Sequence, residues 1–539
     1  MQAGPDGFRR AAEADLRMEL TGVPALPGDV IQSYVAARLW DQCALRDGLE
    51  TQARRTPAKV ALADAAGSWS YARLEDQVAR AVACLRQRGV AAGTPVLLIA
   101  PLVAEAVVAY HAIIRCGGIA VMLDRKCGQA DVRHALGLVD CALVITTPAL
   151  RERLRLTSDG PPVLSFDALS QRPDAVRDWP EPDPRAPRAV VFTSGTTSRP
   201  KAVVHSLNTI RAGADSMARS LELTSQDAAF LSTPVASITG LVQVHLTIDG
   251  GARLILEDHF EAASSLERLR AQHASVLGGA PIIIEELFRE AERRKVTTLP
   301  LRAICLGGTL IPRPVLAYAI EQFGITPVRV YGSSETPCAT TTAPSDRDAV
   351  RIADDGVCAR GVELATDGPL PGELLVRGPM RFLGYLDATD NDEAFVAGGW
   401  FRTGDLGTVS QGRLTVTGRL KEIVSRKGMK ISLAEVDEAA ATLADVQEAT
   451  CYGVPDSQTG ERLVLAIRCS GPHASFDAIT GQLRSAGLAA WKLPEEIVFW
   501  DEPLPRTASG KVLRPAVAAA AQGRPYGQAA RLLAADQPG

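Results

Sequence analysis

Between two apolar runs the sequence reads FTSGTTSRPKAVVHS, from Phe192 to Ser206. Thr193, Ser194, Thr196 and Thr197 offer hydroxyls, Gly195 loosens the backbone, and Lys201 adds a positive charge. Phosphate oxygens accept many hydrogen bonds at close approach, so a polyphosphate is the natural ligand for such a loop. The stretch departs from the Walker A pattern, which needs a glycine immediately before its lysine where this chain has Pro200. An ordinary polar turn is the alternative for the loop taken alone.

Further stretches bear on that choice. YGSSE at Tyr331 to Glu335 closes a strand with an aromatic ring, small hydroxyls and an acid, and FRTGDL at Phe401 to Leu406 puts an acid in a glycine turn. GRLKEIVSRKGMKI runs from Gly418 to Ile431, and PRTASGKVLR spans Pro505 to Arg514. In isolation Glu335 reads as a surface acid, Asp405 as a turn former, Arg419 as a salt-bridge partner and Lys511 as a solvated lysine. In this order and spacing the motifs resemble the adenylate-forming superfamily of acyl-CoA synthetases, carrier-protein-loading adenylation enzymes and luciferases. The resemblance covers about Leu49 to Arg514.

The resemblance implies a role for each matched residue. The loop at Thr193 to Lys201 would wrap the β- and γ-phosphates of ATP, and Glu335 would help to hold Mg²⁺, which bridges phosphate oxygens and eases departure of pyrophosphate. Tyr331 would stack on adenine beside Gly307, Gly308 and Thr309, with Gly332, Ser333 and Ser334 completing that wall. Asp405 would accept hydrogen bonds from the ribose hydroxyls with help from Arg419. Lys511 would touch both the substrate carboxylate and the α-phosphate, where a point charge acts on the transition state. After adenylation the C-terminal domain would swing about Lys421, withdrawing Lys511 and presenting the face around Gly428 to an incoming thiol.

Two positions break the family pattern. Ser198 stands where a glycine is usual in the phosphate loop, and Ser237 in TPVASITGL stands where many acyl- and aryl-CoA ligases have a histidine beside the acid site. Ser237 leaves a smaller and less basic wall, which either enlarges the pocket or leaves orientation of the acyl group to other residues. Thr233 to Leu241 contains no Asp or Glu to pair a substrate ammonium, so an α-amino acid is disfavoured. Gly279, Ala280, Pro337 and Cys338 are the remaining pocket candidates, small and apolar walls suited to an aromatic or medium-length acid. His205, at a strand end, reads as structural.

These residues need a scaffold that brings distant stretches together. After Ser70, Leu74, Val78, Val82 and Leu85 recur at helical spacing, with Gly89 placed as a C-cap. Apolar runs at Val96 to Ala100, Ile119 to Leu123 and Cys141 to Thr146 alternate with helices, the first from about Leu102 to Arg115, which predicts a parallel sheet covered on both faces. Pro95 to Ile114 is long enough to span a membrane, but Pro101, Glu105 and His111 make it a strand, a break and a helix. Gln171 to Arg188, rich in proline and charge, reads as a connector leading to a strand at Ala189 to Phe192. From about Gly372 to Thr417 short alternating runs with a turn at Gln411-Gly412 predict antiparallel strands.

The expected architecture is α/β: a large N-terminal domain of parallel α/β sheets plus a small β-barrel, followed by a small mobile α+β C-terminal lid domain. In residue terms, 1–47 is a lead-in and 48–418 the large domain, with subdomains at about 48–180 and 181–330 and the barrel at about 331–418. The lid is 419–521 with its hinge near Lys421, and 522–539 is a flexible tail.

Composition fits a cytoplasmic protein with a small-molecule partner. The 58 basic and 62 acidic residues leave a formal charge of −4, with no overall field to attract nucleic acid or an anionic membrane. Ten cysteines without a CxxC pair argue against a zinc site and a disulfide framework, and the N-terminal stretch lacks the apolar core of a signal peptide.

The function expected is ATP-dependent activation of an aryl or medium-chain carboxylic acid to an acyl-adenylate, then transfer to the thiol of coenzyme A or of the phosphopantetheine on a separate carrier protein. Two alternatives compete with it. One is adenylation of nitrite for diazotisation of an aryl amine, which the missing acid-site histidine leaves open. The other is a non-catalytic nucleotide-binding relative, motivated by Ser198.

Overall fold

The computed structural model describes residues 26–41, 48–157, 159–171, 183–193, 200–308, 311, 313–368, 372–426, 429–456, 458–472, 474–507 and 510–529. A seven-stranded sheet is built on Pro95–Ala100, Ile119–Asp124, Leu143–Thr146, Val163–Ser165 and Pro187–Phe192, all parallel. Ala202–Ser206 and then Gly384–Tyr385 extend it antiparallel beyond Pro187–Phe192. Side chains alternate across a strand, and the burial follows that rule. Leu98, Ala120 and Met122 belong to a core with the helices Tyr71–Gln87 and Ala104–Arg115, while Leu97, Ile99 and Val121 belong to a core with the helix Gln129–Leu138 on the opposite face. Continuous apolar strands are thus buried twice over, as the sequence pattern requires. The Tyr71–Gln87 helix starts where Ser70 accepts a hydrogen bond from the Arg73 N–H, a standard N-cap.

A second sheet of fourteen strands carries a parallel centre of Thr326–Tyr331, Ala303–Gly307, Val276–Gly279, Ala228–Leu231, Arg253–Leu256 and Val60–Asp64. Beyond Thr326–Tyr331 it continues antiparallel into Thr340–Thr341, Val357–Cys358, Arg413–Arg419, Trp400–Ser410, Gly372–Arg377 and Glu363–Asp367. The predicted antiparallel strands are therefore hydrogen-bonded to the second parallel sheet. Gln411 and Gly412 both have positive φ, 51° and 75°, giving the mirror-image turn that matches strand twist in a two-residue hairpin.

The two sheets exchange strands across the expected division near residue 180. Val60–Asp64 and Gly67–Ser70 join the second sheet, and Pro187–Phe192 and Ala202–Ser206 join the first. Strand partners in a wound sheet are chosen by long-range packing, which hydrophobic periodicity does not encode.

The C-terminal unit has a six-stranded sheet in which Met429–Ser432, Ile423–Arg426, Gly460–Cys469, Glu496–Trp500 and Tyr526–Gln528 follow one another, and Val446–Asp456 also pairs with Gly460–Cys469. The helices Leu433–Ala441 and Phe476–Ser485 bury Val436, Ala440, Ile479 and Leu483 with Leu463, Leu465 and Ile467 on one face, while Val464, Ala466 and Val498 pack with Val517 on the other. Part of the expected flexible tail, 522–539, is instead a strand, and 530–539 lie outside the described residues. Tyr526–Gln528 pairs with Glu496–Trp500 as an edge strand, and Gly527 lies so close to Phe476 that an added Cβ would sit 3.0 Å from the Phe476 Cβ. In the lead-in, the helix Gly28–Ala36 is followed by Trp40, whose indole N–H donates to the Pro379 carbonyl at 2.8 Å. The connector lies outside the described residues except for Gln171 and its end, where Pro187 and Arg188 already belong to a strand.

Candidate active site

The neck of the phosphate loop is held by sheet pairing. Phe192 faces Ala202 in an antiparallel ladder, the Thr193 N–H donates to the Lys201 carbonyl at 3.0 Å, and the Lys201 N–H donates to the Thr193 hydroxyl at 3.3 Å. Ser194, Gly195, Thr196, Thr197 and the departure at Ser198 lie outside the described residues. Lys201 Nζ sits 3.0 Å from Asp390 Oδ1 and 4.6 Å from the centre of the Tyr385 ring. The Tyr385 hydroxyl donates to Glu335 Oε1 at 2.7 Å, so one tyrosine joins the loop lysine to the acid expected to hold metal. Burial and the Glu335 charge push the Tyr385 hydroxyl far above its ordinary pKa, which keeps it a donor.

Sequence reading missed Tyr385 and Asp390. The signal is the pairing of Gly384–Tyr385 with Val203 and Val204, a contact between residues 180 positions apart, since Tyr385 faces Val203 and Gly384 faces Val204. His205, on the strand leaving the loop, is fully buried and bonds through Nε2 to the Ser334 carbonyl at 2.7 Å and through Nδ1 to the Thr209 hydroxyl at 3.0 Å. Burial drives its pKa down to about 4, so at neutral pH Nε2–H donates and Nδ1 accepts. The ring ties the loop strand to the Ser333–Glu335 turn, where the Glu335 N–H donates to the Ser333 hydroxyl at 3.2 Å and the Phe382 N–H to the Glu335 carbonyl at 2.7 Å.

The side of the cleft expected to take the nucleotide is formed by the C-terminal ends of adjacent strands. Gly307 ends Ala303–Gly307 so close to its neighbour that a Cβ would lie 2.6 Å from the Val330 carbonyl oxygen. Tyr331 ends the next strand, and its hydroxyl donates to Asp405 Oδ2 at 2.8 Å. Asp405 is cross-strand partner to Arg419, whose Nε lies 2.7 Å from Oδ1. Both carboxylate oxygens are thus engaged by protein, and each keeps a further lone-pair site for a ligand hydroxyl. Thr309 lies outside the described residues.

A cavity of about 440 Å³ opens between the first helix after TPVAS and the strand ends. Ser237, Gly279, Ala280, Pro337 and Cys338 all line it, together with Met217, Val242, Gln243 and Cys305, which sequence reading did not single out. Burial raises the Cys338 thiol well above its ordinary pKa, so it is neutral wall rather than nucleophile. Ser237 is the N-cap of the helix Ile238–Asp249: its hydroxyl accepts from the Gly240 N–H at 3.1 Å and donates to the Pro234 carbonyl at 2.8 Å. Its hydroxyl is therefore committed to the helix start, and what Ser237 gives the cavity is a short wall.

A second cavity, of about 630 Å³, lies between the large domain and the lid and is lined by Tyr331, Asp405, Arg419 and Glu422. Lys511 lines both cavities, with Gly308, Gly332 and Ala280. Its loop is held by Thr507 N–H to the Lys511 carbonyl at 2.7 Å and by Lys511 N–H to the Thr507 hydroxyl at 3.1 Å. Gly510, at φ 86°, seats that loop on the large domain, where a Cβ would meet Ile282 at 3.1 Å. Lys511 Nζ makes no hydrogen bond or ion pair among the described residues. Burial lowers its pKa and the Arg419 charge lowers it further, while Asp405, Glu335 and Glu422 oppose the shift. Lys421 lies in the short turn Leu420–Glu422 that enters the lid, and Gly428 lies outside the described residues.

Known proteins resemble this chain in sequence and fold. The family profile of the AMP-binding enzymes matches residues 49–386, and that of the AMP-binding enzyme C-terminal domain matches 435–511. The chain belongs to the AMP-binding enzymes. Among AMP-binding relatives, an indoleacetate–CoA ligase of Aromatoleum aromaticum is 29% identical over 494 residues, 87% of this chain and 96% of the relative. A sulfoacetate–CoA ligase of Cupriavidus necator is 30% identical over 423 residues, 74% of this chain and 82% of the relative. A salicyl-AMP ligase/salicyl-S-ArCP synthetase of Mycobacterium tuberculosis is 29% identical over 547 residues, 92% of this chain and 94% of the relative. The fold also matches an anthranilate CoA ligase solved with anthranoyl-AMP, at TM-score 0.80, 20% identity, and coverage of 90% of this chain and 98% of that one.

No helix among the described residues is long and apolar enough to cross a membrane, and Pro95 to Ile114 is divided between the strand Pro95–Ala100 and the helix Ala104–Arg115.

Proposed function

We propose that this AMP-binding enzyme joins a carboxylic acid to a thiol in two steps at the expense of ATP. In the first, a carboxylate oxygen attacks the α-phosphorus, the bond to the β-phosphate breaks, and pyrophosphate leaves with the electron pair. In the second, a thiolate attacks the acyl carbon and AMP departs, leaving a thioester. The observation that supports this reading is the position of Lys511, whose Nζ has no hydrogen-bond or ion-pair partner among the described residues, where an acid-sized cavity meets a nucleotide-sized one. Two anions brought together there meet a fixed cation, which lowers the barrier by charge neutralisation and alignment.

The other residues divide the work accordingly. Lys201 is placed to exchange Asp390 for phosphate oxygens, and Tyr331 and Asp405 form the nucleoside wall. Glu335 keeps one carboxylate oxygen outside its bond to Tyr385, and no cluster of three His, Cys, Asp or Glu ligands occurs among the described residues. A single available carboxylate suits Mg²⁺, which is commonly held by one or two carboxylates and substrate phosphates; bound, it would neutralise phosphate charge. In the second step the lid would rotate near Lys421 and admit coenzyme A or a carrier-protein pantetheine. The relatives named above act on carboxylic acids, and no observation favours nitrite. Retention of Lys511 and Asp405 in one cleft, with Glu335 near enough for its charge to act on Lys511, likewise argues against a non-catalytic relative.

ATP–pyrophosphate exchange with a panel of aryl and alkyl acids tests the proposal. Exchange dependent on one class of acid is the expected result, and absence of exchange with every acid would overturn it.

A further inference from the structure

A buried amide lining the acyl cavity has no hydrogen-bond partner among the described residues. Gln243 sits in the helix Ile238–Asp249, six residues beyond the Ser237 N-cap and so about 9 Å further along the axis. It is 4% exposed, its Nε2 is buried without a hydrogen bond, and its carboxamide makes no hydrogen bond among the described residues. Room for the amide is provided by Gly278: a Cβ there would lie 2.5 Å from Gln243 Oε1. A backbone that omits a side chain to admit an unsatisfied amide is arranged around that amide, because burying such a group unpaired is unfavourable.

The cavity's layout says which part of a ligand would meet it. Lys511, Gly308 and Ala280 line both cavities and mark the mouth where chemistry would occur, whereas Gln243, Met217, Val242 and Cys305 line the acyl cavity alone. Apart from Lys511, its charged lining residues, Asp124, Lys126 and Asp131, belong to the side beside the phosphate-loop neck, where His134 bonds to the Pro200 carbonyl at 2.9 Å. Beside Gln243 lie Gly278 and, paired with Gly278 on the next strand, Cys305, neither of which carries a charge at neutral pH. A carboxamide supplies both a donor and an acceptor, and a half-turn about its last bond exchanges them.

We propose that Gln243 selects the substrate: the preferred acid carries a neutral hydrogen-bonding group, a hydroxyl, amine or carbonyl, at the end remote from its carboxylate. A hydrocarbon acid of the same size leaves the amide unpaired and is disfavoured. This deepens the acid-activation reading and rests on it. Sites built to bond a polar substituent reject the analogue lacking it far more strongly than apolar pockets distinguish a methylene.

The test compares matched acids, benzoate against its hydroxy and amino derivatives and 3-phenylpropanoate against its ring-hydroxylated forms, with the wild-type protein and Gln243→Leu. kcat/KM in pyrophosphate exchange is measured alongside calorimetric binding of the same acids without nucleotide. The expected result is a wild-type preference of about tenfold or more for one substituted acid over its parent, falling to within about threefold in Gln243→Leu. An equal preference in both proteins, or a wild-type preference for the parent acids, overturns the inference while leaving acid activation intact. If no acid supports exchange, calorimetric discrimination lost in Gln243→Leu upholds Gln243 and sinks the activation reading, and absence of discrimination sinks both. Should Gln243→Leu not fold, the wild-type ratios decide, with Gln243→Met as the second variant.

Discussion

Truncating Lys511 to alanine separates its chemical role from any structural one. Its Nζ bonds to no described protein group, and its loop is held by backbone bonds to Thr507 that alanine keeps. Burial lowers its pKa, so the folded chain binds that proton less tightly than the unfolded chain. Below the lowered pKa that difference counts against folding, and above the ordinary lysine pKa it vanishes because both states are neutral. Truncation is thus expected to leave the thermal midpoint unchanged or slightly higher. Activity should behave in the opposite way. Removing one preorganised charge from a transition state typically costs about 3–4 kcal/mol, or a factor of about 10²–10³ in kcat. Pyrophosphate exchange should fall by that factor, while thioester formation from a preformed acyl-adenylate should fall much less, since the lid would have withdrawn the lysine by then. Exchange should also decline as pH rises through the lowered lysine pKa. Exchange by Lys511→Ala within about threefold of wild type would refute the reasoning, because no such loss could then be assigned to the charge.

Three further substitutions probe the supports of the site. Tyr385→Phe removes the donor to Glu335 but keeps the ring beneath Lys201, so kcat/KM for Mg²⁺-ATP should fall by about tenfold to 150-fold, the worth of a hydrogen bond to a charged group, as measured by exchange at varied nucleotide. Ser237→Ala removes a helix cap and should destabilise the large domain by about 1 kcal/mol in denaturant unfolding; an equal loss in a variant restoring the cap with threonine or aspartate would contradict that role. His205, with a folded pKa of about 4 against an ordinary 6.5, takes up a proton more readily when unfolded. Its contribution to stability is therefore present above pH 6.5 and lost as pH falls towards 4, about 2 kcal/mol at pH 5. Urea unfolding at pH 7 and pH 5 should show that loss in the wild type and a smaller one in His205→Gln.

Local chemistry was legible in the sequence where one short segment makes it. The helix after Ser70, the strand–break–helix of Pro95 to Arg115 and the hairpin at Gln411-Gly412 are each decided by neighbouring residues. Tyr331, Asp405, Arg419 and Lys511 were legible as motifs, and the structure brings them to one cleft. What the motifs do not encode is partnership between distant segments. Tyr385 joins Lys201 to Glu335 only because Gly384–Tyr385 pairs with the strand after the phosphate loop, and Gln243 faces Gly278 only because a helix and a strand from different stretches pack together. Ser237 shows the reverse case. A residue read for what it lacks beside the acid site proves to be occupied in capping its own helix.

The docked lid poses an energetic question that the charges answer. Closure brings Arg313 within 3.2 Å of Glu438, but both side chains are substantially exposed, and such a pair contributes little. Closure also carries Lys511 into a cleft where burial and Arg419 disfavour its charge. Gly510 packing against Ile282 supplies only a small apolar contact. The Ser432 hydroxyl adds a donated bond to the Thr417 carbonyl at 2.8 Å, so the docked lid carries few polar contacts to set against the cost of burying Lys511. An incoming triphosphate and carboxylate change the balance by giving Lys511 the partners it lacks. A ligand shifts a two-state equilibrium by its differential affinity for the two states, and here that difference is concentrated in one ammonium group. On the proposed mechanism, consumption of the carboxylate charge and departure of pyrophosphate would remove most of that attraction, so the chemistry assigned to Lys511 would also release the lid for thiol entry.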